Sequence, residues 1–114
     1  MKSDKPYLQH ISDAISDIEK FTDNTSKDLF FANKEKQYAI IRALEIIGEA
    51  AKNISPELKS KHPHIPWKTV AGMRDKLIHA YFGVNLERVW HAVQQDIPQL
   101  KDKISALLKE TEAE

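Results

Sequence analysis

Apolar residues recur along this chain at intervals of three and four, with polar residues filling the gaps, and that spacing is the signature of helices that bury one face. Leu8, Ile11, Ile15 and Ile18, separated by Asp and Ser, predict a first amphipathic helix of about 15 residues that ends near Thr22. Asp23-Asn24-Thr25-Ser26-Lys27-Asp28 reads as a turn-rich connection, and Asn33 as the cap of the next helix. The second helix, from about Lys34 to Asn53, carries two adjacent stripes: Ile40, Leu44, Ile47, Ala51 and Ile54, and beside them Ala39, Ala43, Ile46 and Ala50. Two stripes exceed the needs of one core-facing surface, so this helix either occupies the bundle centre or packs partly against a second molecule. Gly48 inside it is either a point of close backbone approach or a tolerated cost of about 1 kcal/mol.

Ser55-Pro56-Glu57-Leu58 pairs a capping residue with a first-turn proline, which predicts a short helix to about Lys61. His62-Pro63-His64-Ile65-Pro66 is then a stiff loop, because each proline restricts its neighbour and removes a donor. A third helix is expected from about Trp67 to Phe82, with Gly83 as its left-handed terminator, and Asn85 caps a fourth. In the fourth, Leu86, Trp90, Val93, Ile97, Leu100, Ile104 and Leu107 alternate in steps of four and three, so the helix passes Pro98 with a kink or restarts there in register. The acidic tail, residues 110–114, reads as frayed. With no alternating strand pattern, the fold class is all-α: an antiparallel bundle of four main helices, the last kinked or divided near Pro98, forming one domain whose core runs from about residue 6 to 109.

Composition narrows the chemistry. The absence of cysteine excludes disulfides, thiolate catalysis and Cys-ligated zinc, and suits a reducing cytoplasm. No apolar run approaches the roughly 20 residues that cross a bilayer, so no membrane partner is expected. The 17 basic and 17 acidic residues balance, yet between Leu58 and Phe82 the charges are Lys59, Lys61, Lys68, Arg74 and Lys76 against Asp75 alone. Such a local surplus is what a phosphate-binding surface requires, and also what solvated lysines on any helix look like. His62 and His64 lack a carboxylate at a metal-ligand spacing, so no metal is assigned to them.

Chemistry-bearing side chains concentrate in Met73-Arg74-Asp75-Lys76-Leu77-Ile78-His79-Ala80-Tyr81. At about 100° per residue, Trp67, Val70, Ala71, Leu77, Ile78 and Tyr81 fall within roughly 60° of Arg74, placing the arginine near the middle of the apolar stripe. A guanidinium there needs either Glu45 or Glu49 of the second helix as a partner, or a cleft. His79 falls about 140° from Arg74, on the polar arc with Lys68, Asp75 and Lys76. Asp75, four residues before it, is placed to orient its ring. Arginine and histidine therefore converge only if the last turn unwinds or a second chain contributes.

Arg74-x4-His79-x-Tyr81 resembles the signature of the HEPN superfamily, and specifically its HepT-like branch of ribonuclease toxins. The flanking blocks Leu44-Glu45-Ile46-Ile47-Gly48-Glu49-Ala50, Ile65-Pro66-Trp67, Gly72-Met73-Arg74 and Val89-Trp90 are similar to that branch in order and spacing. The chain departs at Asp75, where asparagine is common, and at Asn85, where aspartate is usual. The resemblance implies a metal-independent endoribonuclease with no cofactor, the toxin of a type VII toxin–antitoxin pair, acting on tRNA or mRNA as a homodimer whose motifs line one cleft. In it Arg74 and His79 are catalytic, Asp75 and Tyr81 supporting, and Lys68, Lys76 and Arg74 bind RNA phosphate. Tyr81 is also the residue to which an MntA-like nucleotidyltransferase antitoxin attaches AMP. Two other readings stay open from the residues alone: a non-catalytic nucleotide- or RNA-binding module, and a dimeric partner subunit of a minimal nucleotidyltransferase.

Overall fold

The computed structural model describes residues 3–78 and 85–113, with side chains for 3–72 and 85–111. Helix α1 (Lys5–Thr22) opens with a proline in its first turn and buries Leu8, Ile11, Ala14, Ile15 and Ile18, the spacing the sequence set. Its end is fixed by Thr22, whose hydroxyl donates to the Ile18 carbonyl at 2.8 Å. Lys36 reaches back to donate to the Phe21 carbonyl at 2.8 Å, satisfying one of the acceptors that a helix end leaves over. Asn24 then takes a left-handed turn at φ 55°, a conformation asparagine tolerates better than most residues.

The turn-rich segment contains a helix that its composition does not announce. Helix α2 (Lys27–Ala32) starts behind Ser26, whose hydroxyl accepts from the Leu29 amide. Six residues are too few to display a helical period, and only Phe30 among them is buried. Tertiary contact holds the helix in place. The Phe30 ring packs at 5.3 Å from Trp90, and Gln37 donates to the carbonyls of Phe30 and Phe31 at 2.9 and 3.0 Å.

Helix α3 (Lys34–Lys52) begins at Asn33, whose side chain accepts from the Lys36 amide at 3.0 Å. It packs against α1 on one side and α5 on another, with α2 across its start. Ile40, Ala43, Leu44, Ile47, Gly48, Ala50 and Ala51 are buried, and Ala39 and Ile46 half-buried. The first stripe is thus buried within the chain and the second only partly, since Ala39 and Ile46 keep some of their surface exposed. Helix α4 (Pro56–Lys61) is capped by Ser55, and the following loop delivers a buried Trp67 whose indole N–H donates to the His62 carbonyl at 3.0 Å. Helix α5 spans Trp67–Ile78. The expected terminator Gly83 and the stretch 79–84 lie outside the described residues.

Helix α6 (Leu86–His91) starts behind Asn85, which accepts from the Arg88 amide at 3.2 Å. A turn of π-helix, Ala92–Asp96, joins it to α7 (Ile97–Ala113), closed by the Ile97 amide donating to Ala92 five residues back. The helix therefore passes Pro98 without restarting, and the wider turn lies just before the residue that lacks a donor and would crowd the preceding carbonyls. The wider turn also changes the buried face. The regular alternation puts Leu86 and Trp90 deepest, whereas Val89 and Ala92 are buried and Leu86 and Trp90 only partly so. From Val93 onward Ile97, Leu100, Ile104 and Leu107 follow the sequence pattern.

The tail is a second correction. Helix α7 continues through Ala113 instead of fraying after Lys109. Glu110 lies 3.3 Å from His62 Nε2, and the Thr111 hydroxyl donates to Leu107 at 2.8 Å, so the last turns have partners of their own. Nearby, Lys103 donates to the His64 carbonyl at 3.3 Å, so α7 touches the proline loop at two points. Every described element is helical, and no helix among the described residues is long and apolar enough to cross a membrane.

Candidate functional site

Two prolines, one capped short helix and one indole fix the start of the motif helix. The Asp4 carboxylate accepts from the Ser55 amide at 2.8 Å and from the Ser55 hydroxyl at 2.7 Å, tying the chain before α1 to the turn before α4. The loop then folds back through the indole hydrogen bond at His62, and α5 sets out with Trp67 and Val70 buried against the core. Ala71 is half-buried, whereas Lys68 and Thr69 are exposed. This division of faces matches the helical register read from the sequence, which puts Arg74 on the same arc as Trp67 and Val70 and the polar arc on Lys68.

The backbone of α5 includes Arg74, Asp75 and Lys76; their side chains, and all of His79 and Tyr81, lie outside the described residues. Of the carboxylates proposed as partners for Arg74, Glu45 accepts from Arg42 at 3.1 Å, and Glu49 lies 3.8 Å from Lys52. Lys68 is described, and it stands in solvent.

The electrostatics around this helix follow from which lysines are neutralised. Lys27, Lys52 and Lys101 each face a carboxylate, of Glu87, Glu49 and Glu19 respectively. Lys59, Lys61 and Lys68, which flank the proline loop, form no ion pair among the described residues. These three ammonium groups therefore contribute uncompensated positive charge beside the loop, although Glu110 faces His62 there. His62 and His64 stack edge to face at 5.7 Å, and no group of three or more potential ligands among the described residues could hold a metal. In the sequence Gly72 stands out only as part of the Gly72-Met73-Arg74 block. It occupies the interior of α5, where glycine costs about 1 kcal/mol relative to alanine. A glycine inside a helical pattern is the one sequence signal that marks it.

Comparison with known proteins gives this arrangement a family. The model of the family described as ribonuclease HepT-like matches residues 11–107, nearly the whole bundle and all of the motif helix. The chain belongs to the HepT-like ribonuclease family. A Thermococcus cleftensis protein named "Probable ribonuclease HepT" is 53% identical over 108 residues, covering 95% of this chain and 98% of that protein. A Methanocaldococcus jannaschii protein named "Putative RNase" is 44% identical over 108 residues, covering 95% of this chain and 89% of its own length. A Caldanaerobacter subterraneus protein of similar name is 41% identical over 109 residues, with 96% and 97% covered. No solved structure matches the chain. Membership in the HepT-like family and the all-α bundle agree with the resemblance that the Arg74-x4-His79-x-Tyr81 motif carries.

Proposed function

We propose that this HepT-like chain is an endoribonuclease that cuts RNA without a metal, acts as a homodimer and serves as the toxin of a toxin–antitoxin pair. The observation that carries the reading is the family match over residues 11–107 together with an intact Arg74-x4-His79-x-Tyr81 motif on and after α5. Lys68 on that helix, exposed and without an ion pair among the described residues, adds to it. RNA supplies its own nucleophile. His79, an imidazole able to exchange protons near neutral pH, takes the proton of a 2′-hydroxyl as that oxygen attacks the adjacent phosphorus. Arg74 neutralises the charge that builds on the phosphorane, and the 5′-oxygen leaves with a proton from the His79 of the second chain. The products are a 2′,3′-cyclic phosphate and a 5′-hydroxyl. Asp75 orients His79, and Lys68 and Lys76 hold flanking phosphates of a tRNA or mRNA.

Tyr81 is the control point in this reading. An MntA-like nucleotidyltransferase antitoxin transfers AMP from ATP to the phenol oxygen, which displaces pyrophosphate. The added phosphate puts negative charge where RNA phosphate must sit.

The test uses full-length protein, treated with a chelator and shown by intact mass to carry no AMP. It should cut RNA to cyclic-phosphate ends, and His79→Ala should abolish cutting while RNA affinity stays within a few fold. Uncut RNA under those conditions sinks the nuclease reading and leaves a binding module. A strict need for added divalent metal sinks the mechanism.

A further inference from the structure

Gly72 is the sixth of the twelve residues of α5, away from both ends, where a glycine weakens a helix by its backbone freedom. Interior helical glycines are commonly explained by a neighbour that needs the space. Here a Cβ built on the backbone meets nothing within 4 Å. The described residues therefore give no packing reason for the missing side chain. On a regular helix Gly72 lies about 40° from Lys68, and about 140° from Trp67 and 60° from Thr69. It is half-buried, on the side of the helix that carries an exposed Lys68, whose ammonium no carboxylate among the described residues neutralises, and an exposed Thr69.

We propose that Gly72 forms a notch in the motif helix that admits the sugar–phosphate backbone of single-stranded RNA to direct contact with the α5 main chain, with Lys68 and Thr69 as the phosphate-facing donors. The notch removes the bulk that would hold a strand off the helix. Lys68 supplies a counter-charge and Thr69 a hydroxyl donor to phosphate oxygens. A polyanion fits better than a second copy of the chain, since a twofold crossing at Gly72 brings two Lys68 ammonium groups together. The identity of the ligand rests on the ribonuclease reading, whereas the notch itself rests on the geometry of α5.

Gly72→Ala tests it, because alanine suits a helix and finds empty space. The variant should melt at the wild-type temperature or a few degrees above it. Its affinity should fall about tenfold or more for a fluorescein-labelled 2′-fluoro RNA strand of about 20 nucleotides, which lacks the attacking hydroxyl. Lys68→Ala should weaken binding and flatten the salt dependence of log affinity by about one unit of slope. Wild-type affinity in Gly72→Ala overturns the proposal, and does so equally if the variant's sedimentation changes instead, which assigns the notch to a second copy. A Gly72→Ala protein that melts lower also overturns it, because the glycine then has a reason within the fold. If wild type binds the strand but leaves natural RNA uncut, the nuclease reading falls and the notch stands on the affinity ratio. If wild type cuts natural RNA yet does not bind the probe, the notch falls and the nuclease reading stands.

Discussion

Replacing Asp4 by alanine removes a clasp that joins residues 51 positions apart. The carboxylate takes two short hydrogen bonds from one residue, the Ser55 amide at 2.8 Å and the Ser55 hydroxyl at 2.7 Å. A hydrogen bond to a charged acceptor contributes about 1.5–3 kcal/mol when well shielded. Both bonds here are only part-buried, so water replaces some of what is lost and about 1 kcal/mol each is the appropriate scale. The expected loss is about 2 kcal/mol, which for a chain of this length lowers the melting temperature by about 8 °C. Circular dichroism melts of Asp4→Ala, Ser55→Ala and the double variant give the coupling directly. Ser55→Ala should cost more than its share of the clasp, because the same hydroxyl accepts from the Leu58 amide at 3.2 Å and caps α4. Strict additivity of the two substitutions, or an Asp4→Ala melt within about 1 °C of wild type, refutes the reasoning.

Three further outcomes follow from the fold. Phe30→Ala removes a fully buried ring and its contact with Trp90, and should cost about 3–5 kcal/mol by urea unfolding, with α2 the first element to lose amide protection. Asn85→Ala deletes the cap of α6 and should cost about 1 kcal/mol in the same assay, while Asn85→Ser should cost a few tenths. The Lys101 ammonium, hydrogen-bonded to Glu19 at 2.7 Å and attracted by its charge, titrates above the ordinary lysine value of 10.5. A raised value favours the fold below the unfolded pKa and is lost as pH rises through the folded one. Glu19→Gln should return Lys101 toward its ordinary value in a lysine side-chain NMR titration, with no measurable change in stability at neutral pH, because the pair is exposed.

The main helices were legible because each carries enough turns for its apolar period to show, and because Asn33, Ser55 and Asn85 are side chains whose oxygens cap helix starts. Helix α2 was not, since six residues with one buried ring look like a turn until Trp90 and Gln37 are placed against them. Two other features depend on partners distant in sequence or on backbone hydrogen-bond choice. The order of the last turns comes with the contacts of Glu110 and Thr111, and the shift of burial from Leu86 to Val89 comes with the π-turn. Of the candidate site, sequence supplied the residues Arg74, His79 and Tyr81 and the expected split between the two faces of their helix. The structure adds that Trp67 and Val70 are buried while Lys68 is exposed.

By itself, then, the sequence determined the all-α class, the bundle of main helices, their caps and the motif that carries the family. Those follow from the period of apolar residues and from short-range hydrogen bonds, both of which act within a few residues of chain. Only the tertiary structure decided that the Ile40, Leu44 and Ile47 stripe of α3 is buried inside the bundle while the adjacent one is buried in part, that α7 and the proline loop are held together, and that a Cβ at Gly72 would meet no neighbour within 4 Å. Each of these depends on what stands opposite a residue across the fold, a distance that local periodicity does not encode.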